Sequence, residues 1–333
     1  MSGGLATRTG KRRAASFASV AVAATALLAS GGTVRALADA PAQTPSASEC
    51  SPSSANAGPD ARVMAGYAGL DPNSMSLAQS KTWDAALQKQ VQQRGLAMRA
   101  ATAKFKTITI DVRVHVITRN NGTGGATPKM VLDQIKVLNR AYAGKTASNS
   151  TYTPFRFVIK SYDVTPNTDW YNWSIKDDER PAKKALHQGG YDDLNMYVTG
   201  LSDGLLGYAY YPQDQVGFRD GVVLLNESLP GGSEAPYNEG DTATHEIGHW
   251  LGLAHTFENG CKKPGDFVAD TPYQADGNNI FYCDESLNTC KQPGKDPVHN
   301  FMSYGDDPCL DQFTEGQSLR MLLSWLAYRD PAA

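Results

Sequence analysis

From Lys106 the chain settles into alternation. In "KTITIDVRVHVIT" Ile108, Ile110, Val112, Val114 and Val116 share one face at a period of two, which predicts a half-buried strand. "TPKMVLDQIKVLNRAYAG" then changes period. Thr127 stands as N-cap and Pro128 at the first helical position, Met130, Ile135, Leu138 and Tyr142 fall near a helical spacing, and Gly144 ends the element. Strands follow at "FRFVIKSYDVT", "DLNMYVTG", "LLGYAYYP" and "DGVVLLN", and the Gly- and Pro-bounded "LLGYAYYP" reads as an edge strand. A helix set between strands predicts a twisted, five-stranded mixed sheet of α/β (α+β) type, with one backing helix and a second helix at "DTATHEIGHWLG". After His255 the chain turns irregular. It closes in "TEGQSLRMLLSWLAYR", where Thr314 and Gln317 fit a capping box and Leu319, Leu322, Leu323 and Leu326 form an apolar stripe.

The first hundred residues read differently. "KRR" at Lys11 to Arg13 precedes the apolar run "AASFASVAVAATALLAS" and the small residues Ala36 and Ala38, the pattern of a secretory signal over 1–38. Residues 39–103 read as a pro-segment or leader with a low-complexity start and one helical patch. The folded domain is then expected over 104–333, with an upper subdomain at 104–255 and a lower one at 256–333. A net charge of −3 without a basic block in the folded part excludes a nucleic-acid role. No second segment of transmembrane length follows, so the expectation is a secreted monomer with no membrane insertion once the signal is removed.

Cys261, Cys283, Cys290 and Cys309 lie close together in the last third, where an exported chain is expected to form two disulfides; four cysteines allow three connectivities. Cys50 is left over in the leader. It is either a spare thiol or a thiolate that occupies a metal's open position and keeps an enzyme latent.

The chemistry concentrates in "THEIGHWLGLAH", which holds three of the chain's six histidines. Residues four apart share a helix face, so His245 and His249 can bind one ion. Gly252 can take positive φ, stop the helix and bring His255 back as a third ligand, leaving the fourth zinc position open for water. Glu246, beside the first ligand, is placed to act as general base and acid. His115, His187 and His299 stand alone and read as ordinary structural histidines.

"HEIGHWLGLAH" followed by "HNFMSYGDDPC" resembles the metzincin zinc proteases, in which a Met-turn follows the zinc motif. Together with "IDVRVHVI", "CKKPGDFVADTP" and "MSYGDDPC" it is similar to the pappalysin family, in its small ulilysin- or cytophagalysin-like branch. The resemblance implies a metzincin fold with an irregular, disulfide-braced lower subdomain. It implies Met302 as the floor beneath the zinc, Tyr304 as an oxyanion-stabilising hydroxyl, and disulfides Cys261–Cys290 and Cys283–Cys309. It further implies calcium at the loop carrying Asp266, Asp270 and Thr271, and an acidic pocket, with Asp306 and Asp307 as candidates, for a basic residue just after the cut. Substrate peptide would lie along "LLGYAYYP". This chain has Ser303 where relatives commonly place Asp, a departure in the turn between Met302 and Tyr304.

The expected function is therefore a secreted zinc endopeptidase acting on peptides and proteins. The alternatives are a zinc amidase on a non-protein substrate and a zinc-bearing binding module whose catalysis has lapsed. The intact Glu246 argues against the last.

Overall fold

The structure, a computed structural model, describes residues 60–65, 75–201 and 204–331. The signal assigned to 1–38 and Cys50 lie outside these residues. Thirteen helices and strands organise the described chain: β1 (Asp60–Val63), α1 (Leu77–Gln93), α2 (Leu96–Ala103), β2 (Ile108–Thr118), α3 (Pro128–Ala141), β3 (Phe155–Pro166), α4 (Thr168–Tyr171), α5 (Glu179–Leu186), β4 (Leu194–Thr199), β5 (Leu205–Ala209), β6 (Val222–Leu225), α6 (Asp241–Trp250) and α7 (Glu315–Tyr328). Among these residues no helix is long and apolar enough to cross a membrane.

The five predicted strands form the body of a mixed sheet in the order β5-β6-β4-β2-β3. The pairs of β2 with β3, β2 with β4 and β4 with β6 are parallel, while β5 runs antiparallel to β6. The sheet is nonetheless six-stranded, because β1, from the segment read as leader, pairs antiparallel with β5 and covers the expected edge. Four residues carry no period that marks a strand, so β1 exists through its partner.

Along β2 burial alternates through Val114 and becomes continuous from His115 to Thr118. β4 and β6 are buried at every position. This is the expected pattern for central parallel strands covered on both faces. Thr127 caps α3 by accepting the Met130 N–H, as its sequence implies. α3 buries Val131, Gln134, Leu138 and Ala141, while Met130 and Ile135 are partly buried against the same core. Two of its contacts fix α6. The Gln134 amide donates to the Gly240 carbonyl at 2.8 Å, and the Tyr142 hydroxyl, just past the helix, donates to the Thr244 carbonyl at 3.1 Å.

α7 begins at the predicted capping box of Thr314 and Gln317. Its apolar stripe differs from the expected one: Leu322 and Leu326 are buried with Met321 and Trp325, but Leu319 is 48% exposed. α7 packs against α1 and α2, and its Trp325 ring lies 6.2 Å from that of Trp250 on α6, so its buried arc includes Met321 and Trp325 and rotates Leu319 out.

α1 and α2 are integral to this core. Leu87, Leu96 and Ala100 belong to the principal apolar cluster, together with Trp250, Met302 and Trp325. Arg320 pairs with Asp84 at 2.6 Å, Arg94 donates to the Ala327 carbonyl at 2.8 Å, and Arg99 pairs with Asp330 at 2.6 Å. Leu96→Ala should therefore lower chemical-denaturation stability by roughly 2–5 kcal/mol, the range for truncating a buried leucine. A change within about 0.5 kcal/mol in the urea midpoint analysis would show that α2 is not part of the folded core.

Candidate metal centre and substrate cleft

α6 carries His245, Glu246 and His249, all fully buried. Its end has the geometry that the sequence requires of Gly252. Gly252 has φ of 95°, its N–H donates to the His249 carbonyl at 2.8 Å, and the Leu253 N–H donates to the Gly248 carbonyl at 2.9 Å. This pair of bonds is a Schellman ending with glycine in the left-handed position. The reversal returns His255 to the other two histidines.

The three rings converge through their Nε2 atoms, with His249 at 3.0 Å from His245 and 3.1 Å from His255. The Nδ1 of His245 faces the Phe301 carbonyl at 2.6 Å, and that of His249 faces the Leu253 carbonyl at 2.8 Å. A carbonyl oxygen only accepts, so each Nδ1 carries the proton and each Nε2 presents its lone pair to the shared point. Neutral lone pairs crowded at this distance repel unless a cation lies among them. A tetrahedral zinc with Zn–N of about 2.0–2.1 Å sets its nitrogens roughly 3.3 Å apart, close to the observed spacing. Burial holds His249 down at about 3, and burial followed by the neighbouring imidazoles holds His245 well below its ordinary range. Burial, then His249, does the same to His255. The donor set is thus kept neutral at physiological pH, as a metal requires.

Met302 is fully buried below α6, and a Cβ on Gly248 would overlap its sulfur. The helix can rest on Met302 because position 248 has no side chain. Tyr304 is buried with its ring 4.8 Å from that of His255 and 5.8 Å from that of His245. Ser303 is buried between them and donates to the Ile280 carbonyl at 3.4 Å, a contact a carboxylate could not make.

The two acidic candidates separate. Asp306 is half-buried and engages the turn through its main-chain carbonyl, which accepts the Cys309 N–H. Asp307 is buried at the start of α6, where its Oδ2 accepts the N–H groups of Glu239, Gly240 and Asp241 at 2.8, 3.0 and 3.3 Å. An anion at a helix N-terminus is electrostatically favoured. Its Oδ1 is left facing the cleft and pairs with Arg62 at 3.0 Å, both side chains being fully buried.

Arg62 is the residue that sequence reasoning missed. It lies on β1, and its guanidinium also donates to the Thr242 hydroxyl at 3.0 Å and the Gly305 carbonyl at 2.6 Å. Its main-chain N–H donates to Glu246 Oε1 at 2.9 Å. Opposite it in register stands Gly207 of β5, where a Cβ would come 2.9 Å from Glu246 Cγ. A lone arginine in a polar leader gives no periodic signal, so only the assembled cleft reveals it.

The disulfides form as the resemblance implied, Cys261 to Cys290 and Cys283 to Cys309. The proposed calcium ligands part company. Asp266 is buried, with Oδ1 accepting the Val268 N–H at 3.0 Å, while Oδ2 and the neighbouring Thr271 hydroxyl make no hydrogen bond of full geometry. Asp270 is exposed and caps α7 instead, accepting from the Thr314 hydroxyl and the Gly316 N–H at 2.8 Å each.

The chain is similar to known proteins. The family model described as pregnancy-associated plasma protein-A, peptidase M43, matches residues 183–324. An extracellular metalloprotease of Neurospora crassa is 40% identical over 235 residues, spanning 68% of this chain and 78% of that protein. One from Verticillium alfalfae is 39% identical over 269 residues, spanning 78% and 88%. Among solved structures, mature mirolysin of Tannerella forsythia in complex with a cleaved peptide is 28% identical, with a TM-score of 0.55 over 65% of this chain and 90% of that one. A mutant of promirolysin from the same organism is 25% identical, with a TM-score of 0.59 over 72% and 89%.

Gly252→Ala should weaken zinc binding and lower Tm, because a left-handed non-glycine residue costs roughly 1–2 kcal/mol and the new Cβ overlaps the Ser324 hydroxyl. Zinc titration against a competing chelator reads the first effect. An affinity equal to wild type would mean that His255 reaches the site without this turn.

Proposed function

Because the chain belongs to the peptidase M43 family of zinc metalloproteases, we propose that it hydrolyses extracellular peptides and proteins with Glu246 as proton carrier and Asp307 as the acid that selects the residue after the cut. The observation that carries this reading is the meeting of three buried Nε2 lone pairs with a buried carboxylate whose Oε1 lies 2.9 Å from a peptide nitrogen in the cleft. The secreted location rests on the signal-like N-terminus and on relatives described as extracellular.

His245, His249 and His255 would hold the zinc, which when bound supplies Lewis acidity to the scissile carbonyl and to attacking water. Glu246 takes a proton from that water and delivers it to the departing amine nitrogen; 2.9 Å is within the reach such a transfer needs. Tyr304, buried beside His255 and His245, donates its hydroxyl to the oxygen that gains charge as the carbonyl becomes tetrahedral. Met302 fills the space under the metal-binding helix. β5 offers the extended edge along which substrate pairs, and Gly207 keeps that edge close to Glu246. The charge at Asp307 Oδ1, already matched by Arg62, fits an arginine or lysine following the scissile bond.

The Asp266 loop is the proposed calcium site, reduced to Asp266, Thr271 and main-chain carbonyls, since Asp270 is committed to α7. A hard cation there would coordinate the buried Asp266 and Thr271 oxygens, which otherwise face chiefly each other.

Glu246→Ala should retain stoichiometric zinc while hydrolysing a quenched peptide with arginine after the cut about 10²–10⁴-fold more slowly. Chelation should abolish the wild-type rate. Equal rates for variant and wild type would remove Glu246 from the mechanism, and an absence of cleavage in every sample would remove the protease reading.

Burial raises Asp266 to about 7, so the folded metal-free protein holds its proton more tightly than the unfolded chain. That contribution is complete below about pH 4 and is lost as pH rises through about 7. Relative to Asp266→Asn, metal-free wild type should therefore lose Tm across this window, and calcium should restore it above pH 7. Full recovery with zinc alone after chelation would rule calcium out.

A further inference from the structure

We propose that Trp83, on the N-terminal helix α1, is a positioning residue for the proposed metal ligands His249 and His255. The inference rests on the reading that the three histidines hold zinc. Ser80, Trp83, Asp84 and Leu87 stand three and four residues apart, so they share one face of α1. Leu87 enters the principal apolar cluster. The other three meet the segment that carries the second and third ligands, directly or through one side chain. Ser80 accepts from the amide of Asn259, four residues past His255, at 3.1 Å.

The contacts of the Trp83 ring converge on that segment. It lies 4.9 Å from the ring of Tyr211, which stands nearly perpendicular to the ring of His249 at 5.7 Å. It shares a buried cluster with Ala254, the residue before His255. It also lies 4.2 Å from the guanidinium carbon of Arg320, whose Nε donates to the Gly252 carbonyl at 2.9 Å. Asp84, the next residue of α1, grips the same guanidinium at Nη1, 2.6 Å away. The indole therefore bears on the second ligand, the turn and the third ligand, each through a single residue.

Its polar atom takes no part in this. Trp83 Nε1 is buried without a hydrogen-bond partner, which costs free energy, so the ring is favoured there by what its faces and edges touch. A smaller side chain would leave a void beside Tyr211 and Ala254 and remove the surface on which Arg320 rests. Tyr211 and the Gly252 turn could then relax, and the 3.1 Å spacing of the His249 and His255 Nε2 atoms would no longer be fixed. His245 takes its orientation from the Phe301 carbonyl and should keep it.

The test measures zinc affinity of the full chain against a competing chelator, and the visible spectrum of its cobalt(II) form, in the Glu246→Ala background so that no hydrolysis intervenes. Trp83→Leu should bind zinc about 10–100-fold more weakly, the usual cost of losing a group that orients metal ligands, and should lose the intense cobalt bands of a tetrahedral site. Trp83→Phe keeps a ring over Arg320 and should recover most of both. Leu87→Ala, one turn further along the same face, should lower the metal-free Tm yet leave zinc affinity within about twofold of the parent. Where Trp83→Leu does not fold, Asp84→Asn decides, because it weakens the second hold on Arg320 and leaves the indole in place; a severalfold loss of zinc affinity is expected. Parental affinity in the deciding variant, or an equal loss in Leu87→Ala, would overturn the proposal and leave α1 a plain buttress. A parent chain that binds neither zinc nor cobalt would overturn the metal-centre reading and this inference with it.

Discussion

Everything chemical in this protein depends on α6 being fixed at both ends. Two of its side chains are the proposed metal ligands and a third the proposed proton carrier, so an axial slip or rotation would misplace all three together. At the start, three consecutive N–H groups converge on one oxygen of Asp307. At the end, the Schellman turn at Gly252 stops the helix, while Arg320 donates to the Gly252 carbonyl and Arg329 to the Trp250 carbonyl, both at 2.9 Å. These cations meet the negative end of the helix dipole, as Asp307 meets the positive end. From the side of α3, Gln134 holds the Gly240 carbonyl at the start of α6 and Tyr142 the Thr244 carbonyl one turn in. The unusual burial of three neutral imidazoles is tolerable because His245 and His249 spend their Nδ1 protons on main-chain carbonyls and all three have their remaining lone pairs pointed at one place.

How much of this was legible in the sequence depended on the range over which each signal acts. β2 and α3 were readable because period and capping are local, and the histidine motif because twelve residues contain both the helical spacing and the glycine that ends it. Which of the two aspartates meets Arg62 was not readable. Asp306 and Asp307 are neighbours with the same chemistry, and only the turn around them aims one at the start of α6. Asp270 likewise looks like a calcium ligand in its own loop, yet its partners come from the beginning of α7, more than forty residues on.

The segment read as a pro-segment or leader shows its helical patch in the sequence but not what that patch packs against. Leu87 and Leu96 complete the core beside α7, and Trp83 packs its ring 4.9 Å from Tyr211, which in turn lies 5.7 Å from His249. β1 lacks any intrinsic signal, since its strand conformation depends on β5 and on a pocket assembled from residues 180 to 245 positions later. No local rule could find it.

In its proposed role Asp307 would join stability to specificity. One of its oxygens is saturated by helix N–H groups, so the carboxylate cannot rotate away from the cleft, and the other presents a fixed charge to whatever enters. Leaving a buried partner of such a pair uncompensated costs roughly 3–5 kcal/mol, so an occupied pocket favours a cation strongly over a neutral side chain. The arrangement also limits how the preference could change. A neutral residue at position 307 would leave three N–H groups at the start of α6 poorly satisfied and loosen the proposed metal ligands one and two turns further along. The occupant side carries no such burden, because Arg62 belongs to a short strand at the sheet edge. Variation in what fills the cleft is therefore structurally easier than variation in what the cleft selects.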